Sequence, residues 1–315
     1  MCLFSRSDCG GLVRQNPDAF RSCYEGSTMT LLETANRAMR RILEAQGVQS
    51  EVHRVRGHDV HAYRLEGQGL GPPLLLVHGL GSSANAYWRT LKPLALHFRR
   101  IWALDVPGNG FSPTPSSGPL PWRAQLDTVR SFLEDVIREP VFLIGNSLGG
   151  AMSLYLAHET PAAVRALGLI SPAGAKLEDR RFRELVSSFD VNTLAEARAM
   201  TRRLFARPPL PLLLLAGEMR NLYANPTVKS LIREVQPADA VTEAMLQGLP
   251  MPTLLIWGTK EKLLPPEGLA YFRAHLPKHA EIHEVEGFGH MPQMENPRPL
   301  VRRIIDFARS RSLSG

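Results

Sequence analysis

Five short runs in the chain are apolar at every position: 74–77, 101–104, 141–144, 167–170 and 254–257. A strand with one face in water alternates apolar and polar residues. Continuous runs of this length instead predict strands of a parallel sheet, covered on both faces by helices. Between the runs the period lengthens. Trp122, Leu126, Val129, Leu133 and Val136 share one face of a helix, as do Leu300, Ile304 and Phe307, and Asn296–Pro297 supplies an N-cap and first-turn pair for the last helix. Segments 52–55 and 60–65, split by Gly57, predict a hairpin. Ahead of them, apolar residues at 31, 32, 35, 39, 42 and 43 predict a helix ended by Gly47.

Strand and helix in alternation imply an α/β fold, a mostly parallel central sheet flanked by helices with right-handed crossovers. The alternation stops between Pro172 and Leu249, where helical patterns follow one another at 179–189, 193–206, 212–223, 227–235 and 239–247, broken by Pro208 and Pro209. The expected organisation is therefore a loosely packed tail (1–28), a first core part (29–171), an inserted helical cap (172–249) and a second core part (250–315). Leucines at 210 and 212–215 exceed what one buried face needs. They read as core packing, channel lining or a lipid-facing patch.

Composition narrows the class. At 315 residues, with 44% hydrophobic and 21% charged, the chain suits a folded domain rather than a disordered or fibrous one. Its formal charge of +7 comes from 37 Lys+Arg against 30 Asp+Glu, but the arginines are scattered in pairs such as Arg40–Arg41 and Arg202–Arg203. They read as solvated helix faces, and no nucleic-acid partner is expected. Cys2, Cys9 and Cys23 lack Cys-x-x-Cys spacing, so neither a disulfide framework nor a metal site is expected. No apolar run approaches the roughly 18 residues of a spanning helix, and the first twenty residues have no apolar signal core. A cytoplasmic location is expected; peripheral contact of the helix from Leu31 and the cap leucines with an anionic membrane is a further reading.

The strongest chemical signal is Gly145-Asn146-Ser147-Leu148-Gly149-Gly150, between an apolar strand and a helical stretch. Gly-x-Ser-x-Gly at such a junction forces a sharp turn that presents the serine at the sheet edge. A serine hydroxyl needs a base, and of ten histidines His290 lies in a loop of turn formers, Gly287 to Pro292, after a strand at 282–285. The orienting carboxylate is expected after strand 254–257, where Glu261 is the one acid in the turn; Asp105 is the main rival, followed by Glu286 and Glu178. The order Ser147, Glu261, His290 suits this arrangement. Backbone N–H groups of Leu148 and Leu80 are the expected oxyanion donors. His78 and Asp105 read as braces of their loops, and His61 as an ordinary strand residue.

With these residues assembled, the chain from about Gly47 onward resembles the α/β-hydrolase superfamily. The likeness rests on His78-Gly79, the Asp105–Ser112 loop, the Ser147 elbow, Trp257-Gly258-x-x-Glu261, and Gly289-His290 with Pro292, Glu295 and Pro297. Within it, the elbow and the segment 203–225 look most like monoacylglycerol lipases and related bacterial lipases and esterases. The resemblance implies a cap over the nucleophile and cleavage of a small-molecule or lipid ester with an apolar acyl chain, through an acyl-enzyme and without a cofactor. It also carries a departure, since Glu261 stands where the family usually has Asp. Two alternatives stay open: a carbon–carbon bond hydrolase acting on vinylogous diketones, whose members share an Asn before the serine, and a non-catalytic ligand receptor of the same fold.

Overall fold

The computed structural model describes residues 30–208, 210, 213 and 216–313. The expectations for the tail 1–28 with its three cysteines, and for Leu212, Leu214 and Leu215, lie outside the described residues. The strands are β1 (Gln49–Val55), β2 (His58–Glu66), β3 (Leu74–Val77), β4 (Arg100–Leu104), β5 (Val141–Ser147), β6 (Val164–Pro172), β7 (Thr253–Gly258) and β8 (Glu281–Val285). They form one sheet in the order β1-β2-β4-β3-β5-β6-β7-β8. β1–β2 and β2–β4 pair antiparallel, and every pairing from β4 through β3 to β8 is parallel.

The unbroken apolar runs are explained by what covers each face. Leu75, Val77, Leu143, Leu255 and Trp257 join one core cluster, while Leu74, Leu76, Phe142, Ile144, Leu254 and Ile256 join another on the opposite side. The first cluster is shared with α3 (Trp122–Ser131), α4 (Leu148–Glu159), α9 (Glu243–Gln247) and α10 (Pro266–His275). The second is shared with α1 (Leu31–Ala45), α2 (Leu91–Ala95) and α12 (Pro297–Ser310). Successive strand residues point to opposite faces, so both kinds of position must be apolar.

Two expectations are adjusted and one is met. The helix from Trp122 does not run evenly to Val136: after Ser131 it widens into a π-helical turn, Phe132–Ile137, that ends at Arg138 in left-handed conformation and buries Phe132, Leu133 and Ile137 together. Asn296 precedes α12 as expected, but its side chain makes no capping bond, because its backbone (φ −127, ψ 54) belongs to the bend out of the short helix α11 (Pro292–Glu295). The helix from Leu31 is as expected, with Gln46 as its C-cap and Gly47 at φ +88, and a capping box between Thr30 and Glu33 starts it.

Between β6 and β7 lie α5 (Asp179–Ser187), α6 (Leu194–Leu204), α7 (Ala216–Ala224), α8 (Pro226–Glu234) and α9. α6, α7 and α8 carry their own apolar cluster, including Met200, Leu204, Tyr223 and Val228, which meets the core through Ala86, Leu263 and Met291. Among the described residues, no helix is long and apolar enough to cross a membrane. The strand order places β4 on one side of β3 and β5 on the other, so connections diverge there. That leaves a crevice at the carboxyl ends of β3 and β5, the position where open α/β sheets gather ligands.

Candidate active site

β5 ends at Ser147 and α4 begins at Leu148 with nothing between. The turn forces Ser147 to φ 55, ψ −121, a left-handed φ that costs a non-glycine residue about 1–3 kcal/mol and persists where surroundings over-determine it. Those surroundings are tight. A Cβ on Gly145 would lie 2.2 Å from the Gly149 carbonyl oxygen, and one on Gly149 would lie 2.3 Å from that of Val77. Glycines on either side of the elbow thus let α4 sit directly on β5 and β3. The N–H of Leu148, first in α4, has no partner inside the helix. Leu80, in the loop after β3, borders the same cavity as Ser147 and Leu148.

Glu261 follows β7 and His290 follows β8, and the parallel pairing of those strands puts both at the same sheet edge. His290 Nδ1 and Glu261 Oε2 are 2.8 Å apart, with side chains only 2% and 3% exposed. The other carboxylate oxygen, Oε1, accepts from the N–H groups of Leu263 (2.8 Å) and Leu264 (3.1 Å). Burial alone would push this carboxyl up; the facing His290 charge and hydrogen bond, with the two N–H groups, outweigh it and hold Glu261 below the usual carboxylate range. The Glu261 side chain thus reaches the imidazole with one oxygen while the backbone of its own turn holds the other. Ser147 and His290 border one cavity. Among the described residues there is no direct hydrogen bond between them, and such bonds often tighten only when substrate is present.

What links the elbow to the histidine loop is Asn146, which sequence reasoning treated only as a family marker. It is 1% exposed. Its Nδ2 donates to the carbonyls of Ile170 (2.9 Å) and His290 (3.0 Å), and its Oδ1 accepts from Gln293 Nε2 (3.0 Å). The residue beside the serine therefore holds the backbone of the candidate base. No spacing rule points to such an amide, since its partners lie 24, 144 and 147 residues away. Replacing it by alanine removes the amide that holds the His290 carbonyl, and misplacement on the scale of 1 Å costs about 10²-fold. Asn146→Ala is expected to lower kcat about 10- to 100-fold with KM moving less than about threefold. Steady-state kinetics beside an unfolding curve check this, and an unchanged kcat would remove the tether from the account.

The rival carboxylates are elsewhere. Glu178 and Glu286 are exposed. Asp105 is buried against His61, with Oδ2 2.7 Å from His61 Nδ1 and accepting from Phe111 N–H, while Oδ1 accepts from Ala84 N–H. His61 is therefore no ordinary strand residue: at 1% exposed it is locked between Asp105 and Ser50 Oγ (2.9 Å), and the two ends of that contact lie 44 residues apart. Its order, Ser50–His61–Asp105, imitates a catalytic relay, but Asp105 is committed to bracing the loops after β3 and β4. His78 is a brace as expected. Burial pushes its imidazole down, favouring the neutral form, in which Nδ1–H donates to Gly79 O (2.8 Å) and Nε2 accepts from Val106 N–H (3.1 Å).

Two cavities meet at Ser147. One, of about 150 Å³, is apolar, walled by residues such as Trp122, Met152, Leu185, Val186 and Ile232 from α3–α5 and α8, with Phe189 from the turn after α5. The other, of about 440 Å³, includes His290, Gly79 and polar groups from α1 and α7. The arrangement offers a serine hydroxyl and a buried imidazole–carboxylate pair on one cavity, with backbone N–H groups at the same edge.

Comparison with known proteins agrees with this architecture. A family model described as the alpha/beta hydrolase fold matches residues 72–297. The chain is 29% identical over 277 residues to the dihydrolipoyllysine-residue acetyltransferase component of the acetoin cleaving system of Pseudomonas putida, covering 84% of this chain and 71% of that one. It is 26% identical over 293 residues to a 2-hydroxy-6-oxo-2,4-heptadienoate hydrolase of Pseudomonas putida, covering 88% and 98%. Lipases and esterases also stand among the relatives, all at low identity. The crystal structure of a membrane phospholipase A described as a bacterial virulence factor superposes with a TM-score of 0.76 at 24% identity, over 88% of this chain and 91% of that one, and shares the fold. By that family match, and by the sheet order and elbow described above, the chain belongs to the α/β-hydrolase family.

Proposed function

We propose that the protein is a serine hydrolase cleaving carboxylic esters that carry an apolar acyl chain. Ser147 Oγ attacks the ester carbonyl as His290 takes its proton; Glu261 orients the imidazole and stabilises its charged form, and the N–H groups of Leu80 and Leu148 hold the oxyanion. His290 then gives the proton to the departing alcohol. Water, deprotonated by the same imidazole, releases the acid. The observation that carries the reading is the buried Glu261–His290 pair across a shared cavity from a serine held in a strained turn.

The apolar cavity sets an expectation for chain length. A protein cavity of about 150 Å³ lined by aliphatic and aromatic side chains accommodates a group on the order of six carbons, and each buried methylene contributes about 0.8 kcal/mol, close to fourfold. In a p-nitrophenyl ester series, kcat/KM is expected to rise about fourfold per methylene from acetate to roughly hexanoate and then level off. A flat or falling series would contradict the assignment of this cavity to the acyl chain.

A second reading, hydrolysis of a carbon–carbon bond, is favoured by Asn146 before the nucleophile and by relatives named as hydrolases of 2-hydroxy-6-oxo-2,4-heptadienoate and 2-hydroxymuconate semialdehyde. Assaying a vinylogous diketone beside p-nitrophenyl hexanoate separates the two, and preference for the diketone would install the second reading.

A further inference from the structure

Resting on the ester reading, we infer that the cavity on the His290 side is the alcohol chamber, that it is built for a neutral hydroxyl-bearing leaving group, and that Glu218 makes it reject anionic ones. The first step is a proton balance. The departing alkoxide must collect its proton from His290, so the alcohol half of the ester must lie within reach of the imidazole. His290 is part of the wall of the 440 Å³ cavity and not of the apolar one. The acyl half is then left to the apolar side, and the ester lies across Ser147 in one direction only.

The chamber's wall is made by loops of the core, residues of α6, α7, α8 and α11, and the first turns of α1. Its polar side chains include the amides Asn36, Asn85, Asn109, Asn221 and Asn225, beside Asn146 and hydroxyls such as Ser82 and Ser83. An amide both donates and accepts, as does a hydroxyl, and part of this capacity is unspent. Asn85 Oδ1 accepts from Tyr63 OH (2.8 Å) and its Nδ2 donates to Asn36 Oδ1 (3.0 Å), which leaves the Asn36 amino group and one Asn85 N–H to meet a ligand.

Charge in the same wall has one sign. Besides His290 and the phenol of Tyr223, which burial keeps neutral, the ionisable side chains among the described wall residues are Glu33 and Glu218. Glu218, half-buried on α7, faces the start of α1, with its oxygens 3.3 Å from the N–H groups of Leu31 and Leu32. Those are long bonds, so they offset the carboxylate only in part while fixing it at the chamber edge. A phosphate or carboxylate on the alcohol would be taken from water and set beside Glu218 and Glu33. A neutral polyol meets amides instead.

The test compares 1-hexanoylglycerol with 1-hexanoylglycerol 3-phosphate, using p-nitrophenyl hexanoate as the reference for the acyl step. Wild-type kcat/KM is expected to favour the neutral ester by about 30-fold or more, and Glu218→Gln to shrink that ratio at least about fivefold. A second measurement follows the acyl-enzyme directly. With p-nitrophenyl hexanoate as donor, added glycerol is expected to intercept it: the glycerol oxygen bonds to the acyl carbon, its proton passes to His290 and on to Ser147 Oγ as the serine–acyl bond breaks, and hexanoylglycerol appears. Glycerol 3-phosphate is expected to yield no such product in wild type and to yield it in Glu218→Gln. A wild-type ratio within threefold, or a ratio unmoved by the substitution, overturns the inference while p-nitrophenyl turnover keeps the ester reading. No turnover of p-nitrophenyl hexanoate overturns the ester reading and this inference with it.

Discussion

Ser147→Ala is expected to lower ester turnover by a factor on the order of 10⁴–10⁶, because removal of the nucleophile leaves only binding and the oxyanion donors to act on bound substrate. Folding should survive. The substitution deletes one oxygen that makes no hydrogen bond to His290 among the described residues, and alanine relieves none of the backbone strain that Ser147 carries at φ 55. Circular dichroism and thermal unfolding should therefore match the parent while p-nitrophenyl ester hydrolysis disappears. Retention of half the wild-type rate would reject the assignment.

The second large effect separates two buried carboxylates of similar surroundings and different roles. Glu261→Gln keeps shape but removes the charge that supports His290, and kcat/KM is expected to fall on the order of 10³–10⁴. Stability should change much less. Asp105→Asn is expected to do the reverse, costing about 3–5 kcal/mol, since it breaks the buried carboxylate–imidazole contact with His61 and places an amino group against the N–H donors of Ala84 or Phe111. That is a large share of the ~5–15 kcal/mol that holds a domain of this kind folded.

Acid titration reads the stabilising contribution of Asp105 directly. Burial pushes Asp105 up, but the hydrogen bond and charge of His61 outweigh it, so its carboxyl lies below its ordinary 3.8, and Glu261 lies below its ordinary 4.5. A group whose folded value is depressed adds stability that is present above the ordinary value and lost as pH falls through the folded one. Wild-type protein should accordingly lose stability steeply below about pH 4, and Asp105→Asn should show a shallower acid slope. Equal slopes would remove Asp105 from the stability account.

The parts of this molecule that were readable in advance are those governed by local period and local turns. Continuous apolar runs such as 74–77 and 254–257 became β3 and β7 because burial on both faces leaves a mark at every residue. The elbow was readable because its glycines, serine and flanking elements are contiguous, and His290 and Glu261 because each follows a strand end. Asn146, Gln293 and the Asp105–His61 pair were not, since each depends on contacts between segments far apart in the chain and on side chains whose types are common in turns. The part played by α1 was hidden for the same reason. Its apolar stripe predicted the helix, yet nothing in that stripe showed that its first turn would meet Glu218 and help wall the cavity beside Ser147.

The most direct measurement is covalent: the intact protein is treated with a fluorophosphonate at neutral pH, and the modified residue is located by peptide mass spectrometry. A single adduct on the peptide carrying Ser147 is expected, forming far more slowly in His290→Ala and Glu261→Gln than in wild type. Failure to label, or labelling at another serine with Ser147 untouched, would contradict the claim that these three side chains act together.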